Sequence, residues 1–355
     1  MKWIKKILNR IFIDGLTGMA QGLFATLIVG TIIQQVGTLV GGTTGDMIFL
    51  IGKVAASLTG AGIGVGVANR FKESPLVVVS AGITGMVGAF ASKLLAGAVL
   101  VEGTLVLAGP GEPLGAFLAA YVGIEFGHLV SGKTKIDILV TPIISIGAGS
   151  VVGLILGPPI SEFMAALGGL INWGTAQQPF LMGIVVSVLM GMILTLPISS
   201  AALGVILNLS GLAAGAATIG CCCNMVGFAV ASYRENKFGG LIAQGIGTSM
   251  LQVPNIVRKP FIWLPAILSS AILGPGGTMV LHMTSNATGS GMGTAGLVGQ
   301  IMTWQTMVGA GEDPTLVLVK ILLIQILLPA VVTLGISEFM RKRHWIQPGD
   351  MKLEL

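Results

Sequence analysis

Residues 137–157 read DILVTPIISIGAGSVVGLILG. The one charge, Asp137, opens the stretch, and nothing ionisable follows it through Gly157. A helix crossing a bilayer needs about 20 predominantly apolar residues, and this run supplies them. Comparable runs lie on both sides. In the first half they fall near 16–41, 48–69, 75–97 and 113–131; in the second, near 179–200, 206–231, 239–257, 278–308 and 314–337. Two more apolar stretches, 98–111 and 262–276, are too short for a comfortable crossing. Both end in Gly-Pro-Gly (Gly109-Pro110-Gly111 and Gly274-Pro275-Gly276), a tripeptide expected to stop a helix. The fold expected is therefore an all-α integral membrane protein with about ten transmembrane helices and re-entrant Gly-Pro-Gly segments.

Composition agrees. Hydrophobic residues make up 53% of 355 positions and charged residues 9%, against roughly 25% charged in a soluble domain. Mean hydropathy is +0.92. The 54 glycines follow no collagen period and suggest close helix packing in lipid. A net charge of +5 does not imply nucleic acid, because the basic residues sit in short clusters between apolar runs, as loop anchors do. Cys221, Cys222 and Cys223 are consecutive within an apolar run, with no histidine beside them. They read as small packed residues rather than a metal or redox site.

The opening MKWIKKILNRIFID lacks a cleavage site. Trp3, Ile4, Ile7, Leu8, Ile11 and Phe12 recur at helical spacing opposite Lys2, Lys5, Lys6 and Arg10. Residues 1–13 are expected to lie as an amphipathic helix on the cytoplasmic leaflet. With that end inside, Arg70/Lys72, Lys133/Lys135, Arg258/Lys259 and the tail 341–355 also fall inside, while Arg234/Lys237 violate the rule. The expected location is a bacterial inner membrane, with both termini cytoplasmic.

The two halves look duplicated. Gly64, Val67, Ala68, Gly82 and Ile83 recur 163 positions later as Gly227, Val230, Ala231, Gly245 and Ile246. The Gly-Pro-Gly pair is offset by 165, and Asp137 recurs as Asp313 at 176. Ile160-Ser161-Glu162-Phe163-Met164 recurs as Ile336-Ser337-Glu338-Phe339-Met340 at the same 176. Five crossings per copy would invert the second relative to the first, giving two five-helix inverted repeats, 14–176 and 177–340. In such transporters the solute binds at the repeat interface.

Ionisable groups at membrane depth are costly and suspect. Glu125 and His128 stand at i, i+3 on one helix face. They are read as a proton-coupling or solute-binding pair, or as a pair at the cytoplasmic end of a span. The matching segment of the second copy is HMTSNATGSGMGTAG, residues 282–296. His282, Thr284, Ser285, Asn286, Thr288 and Ser290 offer donors and acceptors there. Each glycine costs a helix about 1 kcal/mol against alanine, so unwound backbone around a cavity is expected. Close packing of small residues is the competing reading. Gln244, Thr248 and Gln252 stack at i, i+4, i+8 and could line a pathway or bond between helices. No HExxH or Walker A loop is present, and no cofactor is implied.

GIEFGHLVSGKTKIDILVTP (residues 123–142), the Gly-Pro-Gly segments and the 282–296 run together resemble the IIC component of bacterial phosphotransferase-system sugar permeases. Within that family the chain is most similar to the type-2 IIC, perfringolysin O regulator-like branch. The resemblance implies a central solute site, a homodimer, and group translocation that would need separate soluble IIA and IIB proteins. The function expected is transport of a small polar solute, a sugar or organic anion, by alternating access, with the chain itself no enzyme. The alternative is a membrane-embedded solute sensor. The solute site is expected between the segments after the two Gly-Pro-Gly turns: Glu125 and His128 on one side, His282, Thr284, Ser285, Asn286 and Ser290 on the other, with Gln244 as a further candidate.

Overall fold

The computed structural model describes residues 9–101, 103–107, 109–198 and 200–353. It is helical almost throughout, and it divides into two units, residues 1–164 and 165–354. Among the described residues six helices are long and apolar enough to cross a membrane, or seven if one bent pair counts as a span. Pro75–Ala89 and Pro179–Thr195 are shorter apolar helices.

In the first unit, α1 runs from Arg10 to Val40. Residues 1–8 of the expected surface helix lie outside the described residues; Arg10, Ile11 and Phe12 already belong to α1. The chain reverses at Gly41 and Gly42, whose φ values of 66° and 62° suit residues without a Cβ. The next span, expected near 48–69, is two helices, α2 (Gly42–Ser57) and α3 (Thr59–Arg70), bent by 53°. Ser57 and Thr59 explain the break. Their hydroxyls donate to the carbonyls of Val54 at 2.8 Å and Ala56 at 2.6 Å, competing with the helix ladder.

Helices α4 (Pro75–Ala89) and α5 (Pro113–Val130) complete the packing around α3. Small residues set the spacing: a side chain at Gly64 would meet the carbonyl of Ala81. The stretch 98–111 contains a short hairpin, β1 (Leu100–Val101) against β2 (Thr104–Leu105). Its Gly-Pro-Gly is a turn, with φ of 84° at Gly109 and 72° at Gly111. Helix α6 (Asp137–Thr175) does not end at Gly157 as expected but continues through Pro158 and Pro159.

The second unit is built around α8 (Gly211–Ala231), buried along nearly its whole length. Against it pack α7 (Pro179–Thr195), α9 (Pro260–Val280) and α11 (Pro314–Lys342). Glycine lets α8 serve as that hub. A side chain at Gly220 would strike the Ser187 backbone of α7, and one at Gly215 the Met283 carbonyl.

Three expectations fail in this unit. The stretch 262–276 is not a short re-entrant segment: α9 is a continuous 21-residue helix that passes through Gly274-Pro275-Gly276. Pro275 and Gly276 both hold right-handed helical angles. Gly274 is there to admit the Gly183 carbonyl of α7 rather than to turn the chain. The span 239–257 is not a regular helix either. It breaks into Tyr233–Ile242, a wide turn Ala243–Gly247, an extended Thr248, a tight turn Ser249–Gln252 and Val253–Arg258. Finally, 278–308 leaves helical geometry at 281–286. It resumes briefly at Ala287–Ser290 and becomes regular again as α10 (Val298–Gly309).

Candidate functional site

Polar groups gather in one ionic cluster of the first unit and in several neutral networks of the second. In the first, Glu73 sits in the turn between α3 and α4, its side chain only 5% exposed. One of its carboxylate oxygens accepts from Arg10 Nη2 at 3.1 Å, and the other lies 2.8 Å from His128 Nδ1. Arg10 also donates through Nε to Glu125 Oε1 at 2.7 Å. Its guanidinium lies 4.0 Å over the Phe71 ring, which meets Tyr121 edge-on at 6.0 Å. The N–H edge of the Arg10 head is thus engaged by carboxylates and one of its faces by an aromatic ring. Glu125 and His128 do share a face of α5, and they converge on Arg10 and Glu73. These charges gather beside the α3–α4 turn and the last two turns of α5. His128 is 61% exposed, so one edge of the cluster is open.

In the second unit the 281–286 backbone crosses beside the start of α8. His282 and Leu297 hold left-handed φ values of 49° and 59°, uncommon for side-chain-bearing residues. The Ser285 amide donates to the Gly211 carbonyl at 3.2 Å. Asn286 caps Ala287–Ser290, its Oδ1 accepting from the Gly289 amide at 3.0 Å, while its Nδ2 faces Met302 Sδ at 3.5 Å. The Ser290 hydroxyl is spent in its own turn, donating to the Ala287 carbonyl at 2.8 Å. Ser200 donates to the Gly291 carbonyl at 2.7 Å, anchoring the far side of the segment.

Ser285 differs from its neighbours. Its side chain is 1% exposed, yet among the described residues its hydroxyl has no hydrogen-bond partner. A buried hydroxyl in that state costs about 1–3 kcal/mol. In α10, Gln300 donates to Gln325 Oε1 at 3.0 Å, and Gln325 donates to Thr303 at 3.1 Å. The Gln300 carbonyl oxygen is buried without a partner as well. Thr284 is half-buried, and His282 and Thr288 are exposed. His282 is the one ionisable side chain from 282 to 300.

Gln244 lies elsewhere in this unit. Its amide donates to Ser232 at 2.9 Å and to the Gly240 carbonyl at 2.9 Å, and its oxygen accepts from Gln252 at 2.8 Å. All of these groups are satisfied by protein. On a straight helix residues eight apart are separated by about 12 Å. Gln244 and Gln252 touch because the backbone between them breaks.

Sequence reasoning missed Arg10 and Glu73, because Arg10 reads as a lipid-surface cation and Glu73 as a loop residue. Their opposite charges flanking one helical hairpin were the available clue. It also missed Asn224, fully buried in α8, whose Oδ1 accepts from Trp263 Nε1 at 2.9 Å and lies 3.1 Å from the Thr195 hydroxyl. Among the described residues no three His, Cys, Asp or Glu side chains converge as a metal site.

No curated protein matches the chain. A family profile described as "Phosphotransferase system, EIIC" matches residues 13–353, nearly the whole chain. A multi-pass apolar helical fold and that match agree on a membrane permease. The chain belongs to the phosphotransferase-system EIIC family, the membrane transport component of that system.

Proposed function

We propose that the protein carries a small polar solute across the membrane by alternating access, and that the solute is a sugar contacted by the unwound segment of the second unit. The observation that carries this reading is Ser285: a buried hydroxyl without a protein partner, on backbone that has left the helix, at a depth where neither is tolerated without a reason. The surroundings are hydroxyl, amide and main chain, without a fixed charge from 282 to 300. Such a lining suits a neutral polyhydroxylated solute better than an organic anion. Thr284, His282 and the Nδ2 of Asn286 supply further polar groups, whereas Ser290 and Gln244 serve the fold. Glu125 and His128 act with Arg10 and Glu73 as a separate ionic cluster. Separate soluble IIA and IIB proteins would supply phosphoryl transfer, and the working form is a homodimer.

The duplication supports inverted five-helix repeats. Asp137 stands in the first turn of α6, its carboxylate accepting from Thr141 at 2.7 Å, and Asp313 caps α11 by accepting from the Leu316 amide at 2.8 Å. In both helices the matched pentapeptide follows 23 residues later. Corresponding carboxylates thus open corresponding helices.

Ser285→Ala tests the solute assignment. Deleting an unpaired hydroxyl should leave the protein as stable or more so. The lost solute contact should weaken binding by about 5- to 150-fold, the equivalent of about 1–3 kcal/mol. Sugar binding to purified protein in detergent and uptake into proteoliposomes measure it. Unchanged affinity in a well-folded variant refutes the site. Asn286 needs a different substitution: Asn286→Ser keeps a capping oxygen while removing the amide, so folding and binding are separated.

A further inference from the structure

Beyond α11, the chain does not run free. Arg341 in its last turn forms a two-toothed pair with Glu235, Nη1 to Oε1 at 2.9 Å and Nη2 to Oε2 at 3.2 Å. Both side chains are under a tenth exposed. The backbone then turns back through left-handed His344 and Gly349. Residues 351–353, leaving a turn in which the Lys352 amide donates to the Gly349 carbonyl at 3.1 Å, pass along the broken stretch 236–255.

Side-chain amides read the main chain of that passage. Asn236 donates to the Met351 carbonyl at 2.8 Å and accepts from the Leu353 amide at 2.8 Å, as a neighbouring β-strand would. Gln252 donates to the same Met351 carbonyl at 3.0 Å, and Asn255 donates to the Lys352 carbonyl at 2.9 Å. Met351 and Leu353 are buried and Lys352 between them is exposed, the alternation that a peptide bound along its main chain shows. Met351 is fully buried in a pocket whose walls include Phe228, Ile256, Ile262 and Met340. Main-chain bonds for affinity and alternate side-chain pockets for selectivity are the marks of a site that binds an extended peptide.

We propose that Asn236, Gln252, Asn255 and the Met351 pocket form a peptide-binding groove, occupied in cis by residues 349–353 as a releasable strap. The groove is made of short irregular pieces, including left-handed Lys237 and extended Thr248, which lack a helix ladder to keep them in register. The strap ties those pieces together. The wide turn Ala243–Gly247 in turn packs on Ala295–Leu297, the end of the unwound segment. Release of the strap therefore loosens a neighbour of the proposed solute site. That regulatory consequence rests on the solute reading; the groove itself does not.

The experiment reads peptide binding rather than transport. A protease site is inserted after Arg343, the purified protein is cut, and a fluorescent peptide of residues 344–353 is added. The peptide should bind and be displaced by its unlabelled form, and a Met351→Ser peptide should bind at least ten-fold more weakly. In the uncut chain, Asn236→Ala should speed hydrogen exchange of the Leu353 amide at least ten-fold. Equal binding of the two peptides, absence of peptide binding, or unchanged Leu353 exchange would overturn the proposal. So would global unfolding on cutting, which would make the segment an inseparable part of the core. Weaker sugar binding in Ser285→Ala with normal peptide behaviour, or the converse, separates the fates of the two proposals.

Discussion

At the α3–α4 turn of the first unit, Arg10, Glu73, Glu125 and His128 share charge-assisted bonds of 2.7–3.1 Å. Inside the second unit, Asn224, Thr195, Ser249 and Trp263 are held by contacts of similar length between neutral groups. The same is true of Gln300, Gln325 and Thr303. The difference follows from where each group can afford to be. Taking an ion out of water costs several kcal/mol even after relaxation, so the ionic cluster collects beside a turn, where His128 stays wet. An amide or hydroxyl costs less and can be fully paired by neighbours, so neutral groups occupy the middle of α8 and its partners, and a strongly buried ion pair, Arg341 with Glu235, stands at the end of α11.

Substitutions can break this contrast. The largest effect is expected from Asn224→Ala, which orphans the Trp263 N–H and leaves a void. Stability should fall by about 3 kcal/mol, measured as the unfolding midpoint in detergent, with little response to salt. Glu73→Ala should cost less, about 1–2 kcal/mol. Although Glu73 is buried, Arg10 and His128 are one-third or more exposed, and solvent screens their loss. That penalty should shrink further at about 1 M salt, where the screening length is about 3 Å. A salt-independent Glu73→Ala effect, or a salt-sensitive Asn224→Ala effect, would erase the distinction. The smallest change belongs to His128→Ala, no more than about 1 kcal/mol for so exposed a partner. A larger loss there would mean that the cluster is a closed site rather than a rim.

The two Gly-Pro-Gly segments show what a short pattern conceals. At 109–111 both glycines have positive φ and the tripeptide turns; at 274–276 the same letters continue a helix. Proline already has a helical φ, so whether the tripeptide stops a helix depends on what packs around it. Against α7, Gly274 is needed for contact and the helix persists. The polar run 282–296 was legible because its glycines and hydroxyls lower helix stability wherever they are placed. The roles within it were not. That Asn286 is a cap and Ser290 is self-satisfied while Ser285 is orphaned depends on the surrounding elements. Gln244 and Gln252 do hydrogen-bond to each other, but the single helical face expected for them with Thr248 does not exist, because the backbone breaks between them.

Sequence alone determined that this chain is helical and membrane-embedded, because 9% charge cannot cover a water-facing surface, and the long apolar runs need internally bonded backbone in lipid. It also marked where helices weaken and where charge is scarce. Tertiary structure decided which weak points bend, which unwind and which stay helical. It also paired Arg10 with Glu73, 63 positions away, and Asn236 with Met351, 115 away. The physical reason is that periodicity and propensity act over a few residues, whereas satisfying a buried polar group requires whichever partner the whole fold brings within about 3 Å.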